Sequence, residues 1–313
     1  MSNHSAVTLG SGGPSIQPLG VGTWSWGDSF FWGYGRGTYT DVDIQAAFDV
    51  CLDAGVAFFD TAEVYGLGRS EKILGKLVRH SGKNLVVTTK FFPFPWRFTR
   101  GSVKRTLRYS LNRLGLASID LYQVHWPFHP ISIEMMMDGM TDVVDAGLAR
   151  AVGVSNYSPD QMRRAHAALL KRGLRLASNQ VEYSLLNRGP ERSGLLRACA
   201  ELGITLIAYS PIGMGMLTGK YTPDNPPQGT RSARFSRAYL ARIQPLIQTM
   251  RAIGEQHGGK TPSQVALNWL IGKGAVPIPG AKNARQAQEN AGALGWAMTG
   301  DEMAELDRAS EGL

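Results

Sequence analysis

The sequence predicts an α/β fold: a (β/α)8 TIM barrel with an N-terminal β-hairpin and extra helices after strand seven and at the C-terminus. Eight short apolar runs alternate with helical segments, which is typical of a closed parallel sheet surrounded by helices. Reactive side chains also recur where several of these runs end. The 313 residues, 43% of them hydrophobic, suit one barrel. We therefore expect residues 1–313 to form a single domain.

The N-terminal residues predict a hairpin ahead of the barrel, because the short segments 7–9 and 15–19 flank a glycine-rich turn. The first barrel strand follows at residues 19–24. After it, a glycine-rich loop carries many aromatic side chains, which indicates the wall of a site for a flat or apolar ligand. These aromatic residues are Trp26, Phe30, Phe31, Trp32 and Tyr34.

Seven further strands are predicted from short apolar runs, several of them rich in β-branched residues. The run that ends at Lys90, for example, contains Val86, Val87, Thr88 and Thr89 in succession. The predicted strands cover residues 56–59, 84–90, 119–125, 149–155, 177–181, 205–209 and 275–278.

The helices are predicted from apolar residues at helical spacing and from capping residues at the helix ends. Asp41 begins the first helix, in which Ile44, Ala47 and Phe48 share one face until Gly55 ends it. The other predicted helices cover residues 70–77, 102–114, 133–145, 159–171, 194–202, 239–255, 262–271, 284–294 and 301–309.

A long connection at residues 211–237 interrupts this alternation. It contains Pro223, Pro226, Pro227 and several glycines. Long connections in compact domains are usually functional or flexible. We expect this segment, which carries Arg231, Arg234 and Arg237, to close over a ligand.

Composition excludes several classes of protein. The formal net charge is +8, but the basic residues are scattered and form no nucleic-acid motif, so we expect a solvated basic surface and no nucleic-acid partner. Cys51 and Cys199 are far apart, which argues against a disulfide framework or a cysteine metal site. No signal peptide and no apolar run near 18 residues is evident, so we expect a cytoplasmic protein without a membrane partner.

Four reactive residues lie at or just beyond the ends of three successive strands: Asp60, Tyr65, Lys90 and His125. In a parallel barrel those ends open on one face, so we expect the four side chains to meet. A tyrosine is a poor acid at neutral pH, and a neighbouring cation such as Lys90 would lower its pKa. Asp60 would hold that lysine, and His125 would orient a carbonyl or relay a proton. Each residue alone has a structural explanation, but their joint placement predicts a catalytic site.

The segment Asp60-Thr61-Ala62-Glu63-Val64-Tyr65-Gly66, with a downstream lysine and histidine, resembles the hallmark of the aldo-keto reductases. The resemblance extends over nearly the whole chain. It implies reduction of a small-molecule aldehyde or ketone by hydride transfer from a nicotinamide cofactor, with Tyr65 as general acid. The aromatic residues near the expected mouth suggest a substrate site that includes Trp24, Trp32, Tyr65, Phe91, His125 and Trp126.

The resemblance also implies a set of cofactor-binding residues. Ser155, Asn156 and Gln180 would bind the nicotinamide amide, and Tyr209 would stack on its ring. Further matching segments lie in the first strand, in a pyrophosphate loop and in an adenosine segment. They supply Gly22, Thr23, Trp24, Asp60, Ser210, Pro211, Ile212, Gly213, Leu217, Gly219, Lys220, Ile278, Gly280, Lys282, Arg285, Gln286, Glu289 and Asn290.

NADPH is the expected cofactor, with NADH as the alternative. Several branches of the family carry a Lys-Ser pair and a later arginine for the 2′-phosphate, whereas this chain has Gly280-Ala281 followed by Lys282 and Arg285. The glycines at 213–219 do not follow the G-x-G-x-x-G spacing and no Rossmann strand–helix unit surrounds them, so a Rossmann site is rejected.

Three alternative functions remain open from the sequence. The chain also resembles potassium-channel β subunits, which would make it a cofactor-bound regulatory subunit. A pyridoxal-type reductase is an alternative within the enzyme family. A Schiff-base aldolase that uses Lys90 ranks last, because a nearby Asp60 would keep the lysine protonated. The sequence does not indicate an oligomeric state.

Overall fold

The structure is a computed structural model that describes residues 6–128, 130–228 and 235–313. An antiparallel hairpin precedes eight parallel strands, which are hydrogen-bonded in chain order. The hairpin strands are β1 (Val7–Thr8) and β2 (Ser15–Ile16). The parallel strands are β3 (Val21–Gly22), β4 (Phe58–Asp60), β5 (Val86–Phe91), β6 (Ile119–Val124), β7 (Ala149–Ser155), β8 (Leu176–Glu182), β9 (Thr205–Tyr209) and β10 (Val276–Pro277).

Two backbone hydrogen bonds join the first and last parallel strands. The N–H of Gly20 donates to the carbonyl of Pro277 at 3.0 Å, and that of Gly22 donates to Pro279 at 3.1 Å. A side chain at residue 22 would place its Cβ 2.8 Å from the carbonyl oxygen of Ile278, so glycine permits this close approach. The predicted α/β barrel with its N-terminal hairpin is confirmed.

Helices cover the outside of the sheet. The first is α1 (Asp41–Asp53), followed by α2 (Arg69–Ser81), α3 (Gly101–Leu114), α4 (Ile133–Asp145), α5 (Pro159–Leu170), α6 (Gly189–Arg192), α7 (Leu195–Leu202), α8 (Arg237–Gln256), α9 (Pro262–Gly272), α10 (Ala284–Ala291) and α11 (Gly300–Ala309). No helix in the described ranges is long and apolar enough to cross a membrane.

The buried apolar residues that the structure describes form an outer layer, an inner layer and a small third cluster of Met216, Phe235, Leu240 and Ile243. The large outer layer packs the helices on the sheet. Inside the barrel, Phe58, Leu121 and Ile207 pack with Leu9 of the hairpin turn. The hairpin is also fixed by the N–H of Gly10, which donates to the hydroxyl of Thr205 at 2.9 Å. Because Thr205 begins β9, the hairpin lies at the N-terminal end of the barrel and leaves the opposite end open.

Three local features were absent from the sequence prediction. Tyr65–Gly68 and Gly213–Thr218 form short 3₁₀ segments, and α6 is a single helical turn. In the first segment Leu67 has a φ of 56°, a left-handed conformation that is rare for a leucine. Such short segments have too few residues for hydrophobic periodicity to reveal them.

Candidate active site

The C-terminal ends of three neighbouring strands bring the predicted catalytic residues together. Asp60 is the last residue of β4, Lys90 lies near the end of β5, and His125 directly follows β6. Tyr65 begins the 3₁₀ segment after β4. Asp60, Tyr65 and His125 line the same cavity, and the Lys90 ammonium contacts Asp60 and Tyr65. The structure therefore brings the four predicted residues together at one end of the barrel.

Lys90 and Asp60 form a fully buried ion pair. Lys90 Nζ lies 2.5 Å from Asp60 Oδ2 and also donates to the carbonyl of Thr61 at 2.8 Å. Gln180 donates to the other carboxylate oxygen at 2.8 Å, and Gln123 does so at 3.4 Å. Burial raises the pKa of Asp60 and lowers the pKa of Lys90, and their mutual attraction opposes both shifts. The network therefore holds the lysine amino group in one position.

The phenol of Tyr65 lies next to this pair. Its Oη is 3.5 Å from Lys90 Nζ, and its ring packs at 6.2 Å from Trp24 and edge-on at 5.8 Å from His125, between ring centroids. Burial and then the negative charge of Asp60 raise the pKa of Tyr65 well above 10. The expectation that Lys90 lowers this pKa is not met, because burial of the phenol and then the charge of Asp60 raise it. The phenol therefore stays protonated.

His125 presents a neutral imidazole to the cavity. Burial, and then the charge of Lys90, lowers its pKa to about 3. Its Nδ1 is buried without a hydrogen-bond partner among the described residues. The carbonyl of His125 accepts a bond from the side-chain amide of Asn156 at 3.1 Å, which fixes the backbone at this point. The N–H of a neutral imidazole in this position can donate a hydrogen bond to a ligand oxygen. The neutral ring does not act as a proton donor at neutral pH.

A cavity of about 680 Å³ opens at this end of the barrel, a size that suits a cofactor with a small substrate. Most residues predicted for cofactor and substrate line it. They are Gly22, Trp24, Trp32, Asp60, Tyr65, His125, Trp126, Ser155, Asn156, Gln180, Tyr209, Ser210, Pro211, Ile212, Lys220, Ile278, Gly280, Lys282, Arg285, Gln286, Glu289 and Asn290.

The ends of β7, β8 and β9 form one polar wall of the cavity. Ser155 donates to the carbonyl of Gln180 at 2.8 Å, and Tyr209 Oη donates to Asn156 Oδ1 at 3.0 Å. Asn156 and Ser210 have φ values of 63° and 50°, a left-handed conformation that for serine marks a constrained backbone. These contacts hold amide and hydroxyl groups at the cavity surface.

Six predicted site residues are not among those that line the cavity: Lys90, which lies behind Asp60 and Tyr65, and Thr23, Phe91, Gly213, Leu217 and Gly219. Successive side chains of a strand point to opposite faces. Lys90 points inward, so Phe91 packs in the outer core. The hydroxyl of Thr23 contacts Ser70 at the start of α2, and Leu217 is buried in the outer core.

Other lining residues were not in the predicted site: Ser25, Phe31, Glu182, Met214, Gly215, Thr218, Ser263 and Pro279. Most are sequence neighbours of predicted residues, and Phe31 belongs to the aromatic loop. Gln123, a partner of Asp60, was also missed, although its position two residues before His125 places it on the inward face of β6. Ser263 lies in α9, far from every predicted site segment, and no motif in the sequence marked it.

The two predicted phosphate-binding residues have different surroundings. Lys282 Nζ donates to the carbonyl of Trp32 at 3.2 Å and lies 4.5 Å from the centroid of the Trp32 ring. The side chain of Arg285 is 81% exposed and lies 3.9 Å from Glu289. Of the arginines expected to close over the ligand, Arg231 and Arg234 lie outside the described residues.

Comparison with known proteins decides the family. A family model described as the aldo/keto reductase family matches residues 18–311. The chain belongs to the aldo/keto reductase family.

Relatives of this aldo/keto reductase include proteins whose names state an activity or a cofactor. It is 44% identical over 310 residues to a chloroplastic pyridoxal reductase of Arabidopsis thaliana, covering 95% of this chain and 84% of the relative. It is 33% identical over 268 residues to the aldo-keto reductase yakc [NADP(+)] of Schizosaccharomyces pombe, covering 80% of this chain and 77% of the relative.

Solved structures agree with the fold of this aldo/keto reductase. A thermostable aldo-keto reductase in complex with the inhibitor epalrestat superposes with a TM-score of 0.78 at 30% identity, covering 97% of this chain and 99% of the other. The glycerol dehydrogenase of Gluconobacter oxydans superposes with a TM-score of 0.85 at 24% identity, covering 99% and 95%. The second similarity concerns the fold alone.

Proposed function

We propose that this aldo/keto reductase reduces aldehydes or ketones to alcohols with NADPH as cofactor and Tyr65 as the proton donor. One observation carries the proposal: the hydroxyl of Tyr65 lies 3.5 Å from the ammonium of a buried Lys90–Asp60 pair, and Tyr65 and His125 both line a deep cavity. The yeast relative named with NADP(+) supports the choice of cofactor.

The residues of the chain fit a nicotinamide cofactor. Ser155, Asn156 and Gln180 offer hydroxyl and amide groups on one wall, and the ring of Tyr209 lies beside them. Gly22 and Gly280 have no side chains to fill the cavity where they line it. Buried polar atoms without partners among the described residues, such as Ser25 Oγ and Ser263 Oγ, also face this space. When bound, the cofactor supplies a hydride to the carbonyl carbon.

Tyr65 would supply the proton to the carbonyl oxygen. An alkoxide is a stronger base than a phenolate, so a neutral phenol can donate its proton once negative charge develops on that oxygen. The Tyr65 phenolate left behind would lie beside Lys90, whose positive charge stabilises it. Asp60 keeps the lysine amino group in place, and the neutral imidazole of His125 would orient the carbonyl oxygen.

The aromatic wall of the cavity suits a flat aromatic aldehyde. Trp24 packs against Phe31 and edge-on against Trp32, with centroids 5.7 and 5.5 Å apart, and Trp126 lies beside His125. Planar rings pack well on such surfaces. Because the Arabidopsis relative is named a pyridoxal reductase, we propose pyridoxal as the first substrate to test.

The test is a set of aldehydes and ketones, with pyridoxal among them, assayed with NADPH and then with NADH. Loss of the reduced-nicotinamide absorbance at ordinary enzymatic rates is expected with NADPH. Binding of NADPH without turnover of any member of the set would overturn the proposed reaction and favour a regulatory subunit.

The cellular location is a separate question. Because the Arabidopsis relative is named chloroplastic, the cytoplasmic location of this protein stays a prediction.

A further inference from the structure

The loop after β5 carries a column of three aromatic rings that starts at His125. The ring of Phe92 packs edge-on against His125, with 5.6 Å between the centroids. Phe94 lies 4.6 Å from Phe92, and Trp96 stacks on Phe94 at 4.7 Å with 6° between the ring planes. Phe92 and Phe94 are half-buried, whereas Trp96 is 67% exposed. These residues, 92–96, form an aromatic arm that leads from the cavity toward solvent.

A buried ion pair holds the arm in place. The side chain of Glu63 is 8% exposed, and its carboxylate accepts two hydrogen bonds from Arg97 and a third, at 2.7 Å, from the N–H of Phe92. Arg97 also donates to the carbonyl of Phe92 at 2.7 Å, and its guanidinium lies 5.0 Å from the centroid of Phe94. Bidentate arginine–carboxylate pairs are strong and fix geometry. Glu63 and Arg97 therefore clamp the arm from both of its ends.

The clamp lies beside the proposed reacting groups. Glu63 lies in the chain between Asp60 and Tyr65, both of which line the cavity. Tyr65 and Phe92 each pack edge-on against the His125 ring, at 5.8 and 5.6 Å between centroids. A substrate whose carbonyl oxygen meets Tyr65 and His125 therefore has the aromatic arm next to it.

A second column of rings starts at the same histidine. Trp126 stacks on His125 at 6.5 Å, and Phe128 stacks on Trp126 at 5.3 Å. Phe128 is 63% exposed, so each column ends in an aromatic ring with a face open to solvent. Single exposed apolar residues are common, but exposed rings that continue a stack from a cavity indicate a surface for an apolar ligand.

We propose that the aromatic arm is an outer subsite for a second apolar ring of the substrate, beyond the ring that carries the carbonyl, and that Glu63 and Arg97 are positioning residues that hold it. The proposal rests on the proposed reduction of carbonyl compounds. It names the substrate class as aryl aldehydes or ketones with a further aromatic ring. Because Glu63 pairs with Arg97, the arm favours an uncharged ring.

The test compares benzaldehyde with 4-(benzyloxy)benzaldehyde, both assayed with NADPH. For the unaltered chain, KM should be about 3- to 10-fold lower for the two-ring aldehyde, since an aromatic stacking contact strengthens binding by about that factor. Trp96→Ala should remove this difference by raising only the KM of the two-ring aldehyde. Its kcat should stay unchanged, because the contact lies away from the reacting atoms and acts equally on ground state and transition state.

Phe98→Ala is the matched control, because Phe98 is 62% exposed in the same loop but lies beyond the arm. Arg97→Met removes the clamp and should act like Trp96→Ala on the KM ratio while leaving the Kd for NADPH unchanged. Arg97→Lys keeps the charge without the bidentate pair, so it should restore the ratio in part. A thermal melt shows that each variant is folded.

The outcomes separate the subsite from the reaction. If the unaltered chain shows equal KM values for both aldehydes, or if Phe98→Ala changes their ratio as strongly as Trp96→Ala, the subsite is wrong. If Arg97→Met lowers the melting temperature but leaves the KM ratio unchanged, the pair only stabilises the fold and its positioning role is wrong. If the unaltered chain reduces neither aldehyde and no other carbonyl compound, the proposed function itself fails.

Discussion

The substitution Tyr65→Phe tests the proposed proton donor. It removes one oxygen and keeps the ring, whose contacts with Trp24 and His125 do not involve the hydroxyl. Binding of the cofactor should therefore change little. A positioned general acid contributes about 10²–10⁴-fold to a rate, so kcat should fall by that factor, equivalent to about 3–5 kcal/mol in the activation free energy.

Within residues 6–128, 130–228 and 235–313, the structure offers no side chain that replaces the lost acid. His125 is the nearest candidate, but with a pKa of about 3 only about one ring in 10⁴ is protonated at pH 7. A proton delivered by that minor form would itself be about 10⁴-fold slower. The expected loss therefore lies toward the upper end of the range.

The assay follows reduced-nicotinamide absorbance in single-turnover and steady-state experiments, with the Kd for NADPH measured by fluorescence. Tyr122→Phe is the control, because the Tyr122 hydroxyl is buried in the outer core and has no partner among the described residues. That variant should keep its kcat. If Tyr65→Phe retains more than a tenth of the kcat, the proton comes from another group and the mechanism is incorrect.

Three further predictions concern the surroundings of Tyr65. Lys90→Met should lower kcat by about 10²-fold or more. Combining it with Tyr65→Phe should lower kcat little further, since both substitutions disable one proton-delivery unit. A double variant whose loss of kcat equals the product of the two single losses would contradict this. Glu63 accepts two hydrogen bonds from Arg97, at 2.5 and 2.9 Å, so Glu63→Gln should lower the free energy of unfolding by about 1–3 kcal/mol, measured by urea unfolding. An unchanged unfolding midpoint would contradict this prediction. Because His125 has a pKa of about 3 when folded and about 6.5 when unfolded, the unfolded chain binds more protons between these values, and stability should fall by about 2 kcal/mol from pH 7 to pH 5. This loss should be absent in His125→Asn.

The sequence determined the architecture and the convergence of the candidate catalytic residues. Alternating strand and helix patterns specify a parallel barrel, and in such a barrel every strand end opens on one face. Asp60, Lys90 and His125 each lie at or next to a strand end, so their convergence follows from the order of elements alone.

Only the tertiary structure decided which neighbouring side chains face the cavity. Strands that are buried on both faces have continuous apolar runs without alternation. The hydrophobic pattern of β5 therefore does not show which of Lys90 and Phe91 faces the inside of the barrel. Tertiary structure likewise sets the pKa of Tyr65: the sequence predicts a nearby lysine, but burial of the phenol and then the charge of Asp60 raise this pKa. Ser263 lies more than a hundred residues from Tyr65 along the chain, and only the packing of α9 brings it to the same cavity. The charge balance and solvation of a site depend on distances between remote segments, which local sequence patterns do not contain.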